Sequence, residues 1–285
     1  MATFGETNFN TAIYAASRPT YPRELYEFVF SFHRRSQSAQ WERAIDLGCG
    51  TGQATTELTP FRHVTGVDPS TNMIQSARES PAETLSFLED GSVDLVIAAQ
   101  AAHWFDWSRM WPELARILRK GGSAAFWIYS EFRMPAYPGL TSVIKDYSEG
   151  TDVDNSVGPY WQQPGRSILA NHLVAIPEGN AIVDGAFGTL DREYFTGQYY
   201  PDLPFSRPII LRKTMSWDDI LGYLRTWSAL HTFKDKNADD AQNPNGPIEV
   251  RFWNTLKEGV VQKDGGLSDQ VDLEWPVAMV LARKV

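Results

Sequence analysis

The sequence predicts a doubly wound α/β fold, a mostly parallel sheet covered by helices on both faces. Three observations predict it. A strand runs into closely spaced glycines at 43–52; short apolar runs alternate with amphipathic stretches from 43 to 129; and a late apolar run, 273–283, suits a strand returning to the sheet.

The elements follow in order. Residues 22–33 predict a helix, with Pro22 at a first-turn position and Leu25, Phe28, Val29 and Phe32 at helical spacing. Arg43 to Asp46 is the first strand, and Ala54 to Leu58, after the glycines, is expected to start a helix. His63 to Val67 is a second strand, and Ser70 caps a helix reaching Ala77 with Met73, Ile74 and Ala77 inward. Val93 to Ala98 is a third strand. Trp107 to Arg119 is an amphipathic helix closed by Gly121 and Gly122, and Ser123 to Tyr129 is another buried strand.

Beyond Tyr129 the pattern loosens into a stretch rich in Pro, Gly and Tyr, the expected substrate-side insertion. Periodicity returns at Ser216 to Leu230, one helix capped by Ser216, with Ile220, Leu221, Leu224, Trp227 and Leu230 as its apolar stripe. The polar run 234–247 is a loop. Pro276 places the final strand at an edge or a bulge, since proline cannot donate to a ladder.

Bulk properties narrow the function. With 26 basic against 35 acidic residues the formal charge is −9, so no general field draws the chain to nucleic acid or an anionic membrane, and a small-molecule substrate fits better. One cysteine, Cys49, excludes an intrachain disulfide and a multi-cysteine zinc site. The opening residues lack the basic and apolar parts of a secretory signal, no apolar run reaches about 18 residues, and a cytoplasmic location is expected.

The chemistry concentrates at 44–55, AIDLGCGTGQAT. Gly48, Gly50 and Gly52 are spaced G-x-G-x-G, a loop that lets a ligand approach the backbone more closely than a β-carbon allows. Dinucleotide loops use G-x-G-x-x-G, and here Gln53 stands where their third glycine would be. Asp68 ends the second strand about 20 residues on, where a carboxylate can accept from both ribose hydroxyls. Asp46, just before the glycines, would repel a pyrophosphate but suits a cationic group. Cys49 needs only to be small.

DLGCGTG, GVDPS and SVDLVIAAQAAHWFDW together resemble the class I S-adenosylmethionine-dependent methyltransferases, whose core is Rossmann-like. Further segments, at 14–22, 158–167, 210–213 and 223–231, resemble fungal trans-aconitate methyltransferases and their relatives. The resemblance implies one domain over 1–285: an N-terminal lid and helix at 1–40, a cofactor-binding core at 41–130, a substrate-side insertion and helices at 131–235, and a C-terminal helix and returning strand at 236–285. It implies S-adenosylmethionine as cofactor and S-adenosylhomocysteine as product. Asp46, Gly48, Gly50 and Gly52 would line the methionine half, Asp68 would hold the ribose, Met73 would lie against the adenine, and Ala82 and Glu83 would touch its edge. Tyr14 and Arg18 belong to the lid, and Gln100, His103 and Trp104 follow the fourth family strand, where cofactor and substrate meet. The family's third strand has hardly any room in 76–92, which leaves open whether it is absent or shortened and puts the contacts of Ala82 and Glu83 in question.

Methyl transfer is an in-line displacement that needs alignment and dryness and no metal. A carboxylate acceptor is ionised at neutral pH and needs no base. A polycarboxylate needs cations, for which Arg166, Arg212 and Arg225 are the candidates and Lys213 a weaker one; for each, a surface ion pair is the alternative. Tyr160, Trp161, Trp104 and Trp227 are candidates for an apolar wall, Trp227 more naturally as core. His103 and His231 would serve as proton acceptors if the nucleophile were a hydroxyl, amine or thiol. The leading expectation is esterification of a small acid such as trans-aconitate. The alternatives are another small metabolite or toxin, or a non-catalytic protein that binds the cofactor.

Overall fold

The computed structural model describes residues 17–69 and 85–285. In chain order its elements are α1 (Arg23–Arg34), β1 (Arg43–Leu47), β2 (His63–Val67), β3 (Val93–Ala99), α2 (Trp107–Ile117), β4 (Leu118–Tyr129), α3 (Thr141–Glu149), α4 (Gly165–Ala170), α5 (Gly179–Ile182), β5 (Asp191–Phe195), β6 (Leu211–Ser216), α6 (Trp217–Leu224), α7 (Ser228–Lys236), α8 (Ile248–Asp264), β7 (Gln270–Trp275) and β8 (Val277–Arg283). They form two compact units. The helix expected over 70–77 lies outside the described residues.

The larger unit comprises Thr20–Ser130, Pro164–Ile210 and Pro276–Val285 and holds a six-stranded sheet in the order β2-β1-β3-β4-β8-β5. The first four strands are parallel and β8 runs antiparallel to both of its neighbours, which is the class I arrangement. Among the described residues no strand lies beyond β2, where the family's third strand would pair.

The pleat gives the sheet two apolar faces. One presents Ile45, Leu47, Val96, Ala98, Phe126 and Ile128 to Trp107, Met110, Trp111 and Leu114 of α2. On the other, the register aligns Asp46 with Ile97 and Ala125, and Trp127 lies one pleat further along. There α1 buries Leu25, Tyr26, Val29 and Phe32, with the Tyr26 and Trp127 rings edge to face at 6.0 Å.

The smaller unit takes 17–19, Glu131–Gln163 and Leu211–Trp275, with β6 and β7 paired antiparallel beside α3 and α6–α8. Its core is aromatic: Tyr147 stacks on Phe252 at 3.9 Å, and Tyr223 meets Phe132, Trp227 and Trp275 edge-on. Ser216 and Asp219 form a reciprocal capping box at the start of α6. Ser216→Ala is expected to cost about 1 kcal/mol, read as a lowered Tm without change in the folded spectrum.

Several boundaries differ from expectation, each for a local reason. The helix expected at 54–58 is a single 3-10 turn, Thr55–Glu57, because Pro60 bars Thr59 from helical geometry. α2 stops at Ile117, and Gly121, at φ 80°, lies in an irregular start to β4 and not at a helix end. The helix expected over 216–230 is two helices, broken where the Thr226 hydroxyl donates to the Tyr223 carbonyl at 2.6 Å. The polar run 234–247 starts inside α7 and includes a 3-10 turn at Ala238–Gln242. The late strand is two strands in two sheets: Pro276 separates β7 from β8, its carbonyl accepts from Ser130 N–H at 3.0 Å, and β8 is interior to its sheet. Among the described residues, no helix is long and apolar enough to cross a membrane.

Candidate functional site

The glycine loop follows β1 and is tied to the end of β2: the N–H groups of Gly48 and Cys49 both donate to the Val67 carbonyl, at 2.7 and 3.1 Å. Gly48, Gly50 and Gly52 all have positive φ, of 69°, 52° and 85°. At Gly48 space adds to conformation, since a β-carbon would lie 2.4 Å from that of Ala101. Gly50 N–H donates to Asp68 Oδ2 at 2.8 Å, so Asp68 sets the loop as well as facing the site. Cys49 packs on Gly66, whose missing β-carbon leaves room for the sulfur. Burial first, then Asp46 and Asp68, push its thiol up to about 12, so it stays protonated and fills space.

Asp46 is fully buried at the end of β1. Thr55 Oγ1 donates to its Oδ2 at 2.6 Å, while Oδ1 has no partner among the described residues. Burial, with help from the Asp68 charge and against the Thr55 hydrogen bond, raises its pKa from 3.8 to about 7. A buried carboxylate with one unused oxygen favours a cationic donor there.

The loop after β3 supplies the next group. Gln100 sits at φ 58°, and its side-chain amide bridges Tyr129, accepting from N–H at 2.8 Å and donating to C=O at 3.1 Å. Such a conformation costs on the order of 1 kcal/mol and persists only when held, as it is here by the end of β4. His103 is buried in the following turn with Nδ1 unpartnered among the described residues, and its ring is 4.8 Å from that of Trp104. Burial, then the positive charge of Arg166, lower its pKa to about 3. Both influences favour the neutral ring. The Trp104 ring rests where a β-carbon on Gly165 would fall, within 2.5 Å, so Trp104 and Arg166, the next residue of α4, belong to one cluster with His103.

The larger unit thus gathers Asp46, Gly48, Gly50, Gly52, Asp68, Gln100, His103, Trp104 and Arg166. The smaller unit holds the rest of the described candidates. Tyr160 donates to Val153 C=O at 2.9 Å and accepts from Asn237 at 3.1 Å. Trp161 donates to Ser148 C=O at 2.7 Å and lies 5.6 Å from the buried Trp227 ring. Arg212 pairs with Glu274 at 3.2 Å and Arg225 with Glu249 at 3.3 Å, and a His231 ring nitrogen lies 3.1 Å from the Arg225 carbonyl. Arg18 donates to Thr226 C=O at 3.0 Å, its guanidinium 5.5 Å from the Tyr223 ring. Tyr14, Met73, Ala82 and Glu83 lie outside the described residues.

Three residues on the Asp46 side of the sheet carry no clear signal in the sequence: Thr55, which bonds Asp46, Tyr26, which feels its charge, and Trp127, on the same sheet face. Thr55 was open to inference, a hydroxyl just past a glycine loop. Tyr26 and Trp127 were not, because aromatic residues in a helix and a buried strand look like core.

A model of a family described as a methyltransferase domain matches residues 45–126. A Dictyostelium discoideum protein that carries the name of a methyltransferase is 31% identical over 282 residues, 95% of this chain and 92% of its own. A Saccharomyces cerevisiae protein named as a probable S-adenosylmethionine-dependent methyltransferase is 28% identical over 97% of this chain and 96% of its own. A solved structure from Anaeromyxobacter dehalogenans, described as a type II methyltransferase, superposes with a TM-score of 0.64 at 25% identity over 93% of this chain and 97% of that one.

Proposed function

Because the chain belongs to the S-adenosylmethionine-dependent methyltransferases and has their class I fold, we propose that it methylates a small carboxylic acid at a carboxylate oxygen. The observation that carries this reading is the buried imidazole of His103, next to Trp104 whose ring packs on Gly165, and kept from protonating by burial and by the charge of Arg166. With a pKa of about 3, His103 is a poor base for a phenol, amine or thiol, whereas a carboxylate arrives ionised and needs none. Arg166 supplies what a carboxylate does need, a planar donor fork.

The residues present fit the cofactor. The unpartnered Oδ1 of Asp46 suits the ammonium of its amino-acid end, the open backbone of the glycine loop admits a close approach, and Asp68, at the end of β2 beside that loop, is placed as the ribose carboxylate. S-adenosylmethionine supplies a methyl group on a sulfonium sulfur, and S-adenosylhomocysteine remains. The chain's own work is then positional: Asp46 and the loop fix the donor, Arg166 orients the acceptor, and the Trp104 ring on Gly165 screens the cluster from water. Among the described residues no group of side chains is suited to a metal.

Trans-aconitate is the first substrate to try, since segments 158–167, 210–213 and 223–231 already resemble the methyltransferases that use it. The test is methyl transfer from labelled cofactor to trans-aconitate, other di- and tricarboxylates, phenols and thiols, with wild-type protein and Arg166→Ala. Base-labile ester from the acids, reduced at least about 30-fold by the substitution while cofactor affinity holds, is the expected result. Methylation of a phenol or thiol, untouched by Arg166→Ala, would overturn the acid reading and leave the cofactor assignment standing.

A further inference from the structure

The glycine loop and Asp46 account for the cofactor's cationic group, but its amino-acid end also carries a carboxylate, an acceptor that needs donors. On the sheet face covered by α1, two donors have no partner among the described residues: the Tyr26 hydroxyl and the Trp127 indole N–H. Neither residue is explained by packing alone. Tyr26 is 3% and Trp127 0% exposed, so each polar atom is withdrawn from water without compensation. Phenylalanine at 26 would keep the ring contact and avoid that cost.

Asp46 lies on the same face, two strands from Trp127, a lateral separation of about 10 Å. The Tyr26 ring reaches from α1 onto Trp127, and the Asp46 charge is felt at the phenol, where after burial it is the largest influence holding the proton on. A phenol so placed keeps its proton and has it to donate. One unused acceptor and two unused donors therefore share one face of the sheet, on β1, on β4 and on the helix packed over them. An ammonium beside a carboxylate on one carbon is complementary to that set.

We propose that the Tyr26 hydroxyl and the Trp127 indole N–H form a two-donor subsite for the carboxylate of the cofactor's amino-acid end, beside Asp46, which takes the ammonium. This rests on the cofactor site read above and adds two positioning residues to it. Each donor gains a charge-assisted partner on binding, and the pair makes recognition depend on the whole zwitterion. Ligands lacking the carboxylate lose that part of the affinity.

The test compares three ligands by calorimetry: S-adenosylhomocysteine, its decarboxylated counterpart and 5′-methylthioadenosine, which lacks the amino-acid end. Wild-type protein is expected to prefer the first over the second by 10-fold or more. Tyr26→Phe is expected to weaken S-adenosylhomocysteine about 10-fold, leave 5′-methylthioadenosine within 2-fold, and erase most of the preference between the first two. Trp127→Phe is the second variant and shows the same pattern, with a thermal melt of each ligand-free variant to establish folding. Equal weakening of all three ligands, or an unchanged preference in folded Tyr26→Phe, overturns the inference. Wild-type protein that binds none of the three would instead refute the cofactor site itself.

Discussion

Asparagine in place of Asp46 is expected to stabilise the ligand-free protein and ruin the cofactor site together. The folded-state pKa is raised from 3.8 to about 7, so the folded chain holds a proton that the unfolded chain releases between those values. The stability this contributes is fully present below about pH 4 and is lost as pH rises through about 7. At pH 8 the wild-type protein carries a buried carboxylate satisfied on one oxygen, and a rise from 3.8 to about 7 corresponds to a cost of roughly 4 kcal/mol. Asp46→Asn should recover about half of that at pH 8 and nothing at pH 4, so the Tm curves of the two proteins diverge as pH rises. Cofactor affinity should move oppositely, falling about 100-fold at pH 8, since an amide cannot pair with an ammonium as a carboxylate does. In the wild-type protein affinity should weaken as pH falls below 7, with proton release on binding above background. Parallel Tm curves from pH 4 to 8 would mean that Asp46 is not the titrating group.

The second large effect is steric. Gly48→Ala combines a left-handed backbone at φ 69° with a β-carbon 2.4 Å from that of the buried Ala101, and neither residue has a flexible end that can move aside. About 1 kcal/mol of strain plus the displacement of the β3 loop gives an expected loss of about 3 kcal/mol in stability and no measurable cofactor binding. Gly91 provides the control. It is also left-handed, at φ 59°, but nothing lies within 4 Å of its would-be β-carbon. Gly91→Ala should therefore show the strain alone, about 1 kcal/mol, with binding intact. If both variants lost the same stability in denaturant titrations, the clash at Ala101 would carry no energy.

What the sequence made legible was local. The strand before the glycines, Asp46 ahead of them and Asp68 at the next strand end are fixed by spacing over some 25 residues, and the period of the apolar pattern gives the order of elements around them. Boundaries failed where one side chain or one proline decided them, as at Pro60, Thr226 and Pro276. The candidates also separate into two units, because the smaller one is assembled from separate segments of the chain and no local pattern announces it. Ion pairs are likewise invisible in one dimension: nothing near Arg212 or Arg225 in the sequence announces Glu274 and Glu249, 62 and 24 residues downstream, which engage them.

The place of β8 inside its sheet bears on how the chain is made. β8 bridges β4 and β5, yet it follows β5 by some eighty residues. A ribosome therefore releases β4 and β5 long before the strand that joins them exists, and both wait with open hydrogen-bonding edges. During that interval the nascent chain exposes unpaired strand edges of the kind from which aggregation starts. Synthesis that stalls before Val277 would leave a chain with Asp46 and the glycine loop in hand and no closed sheet to carry them.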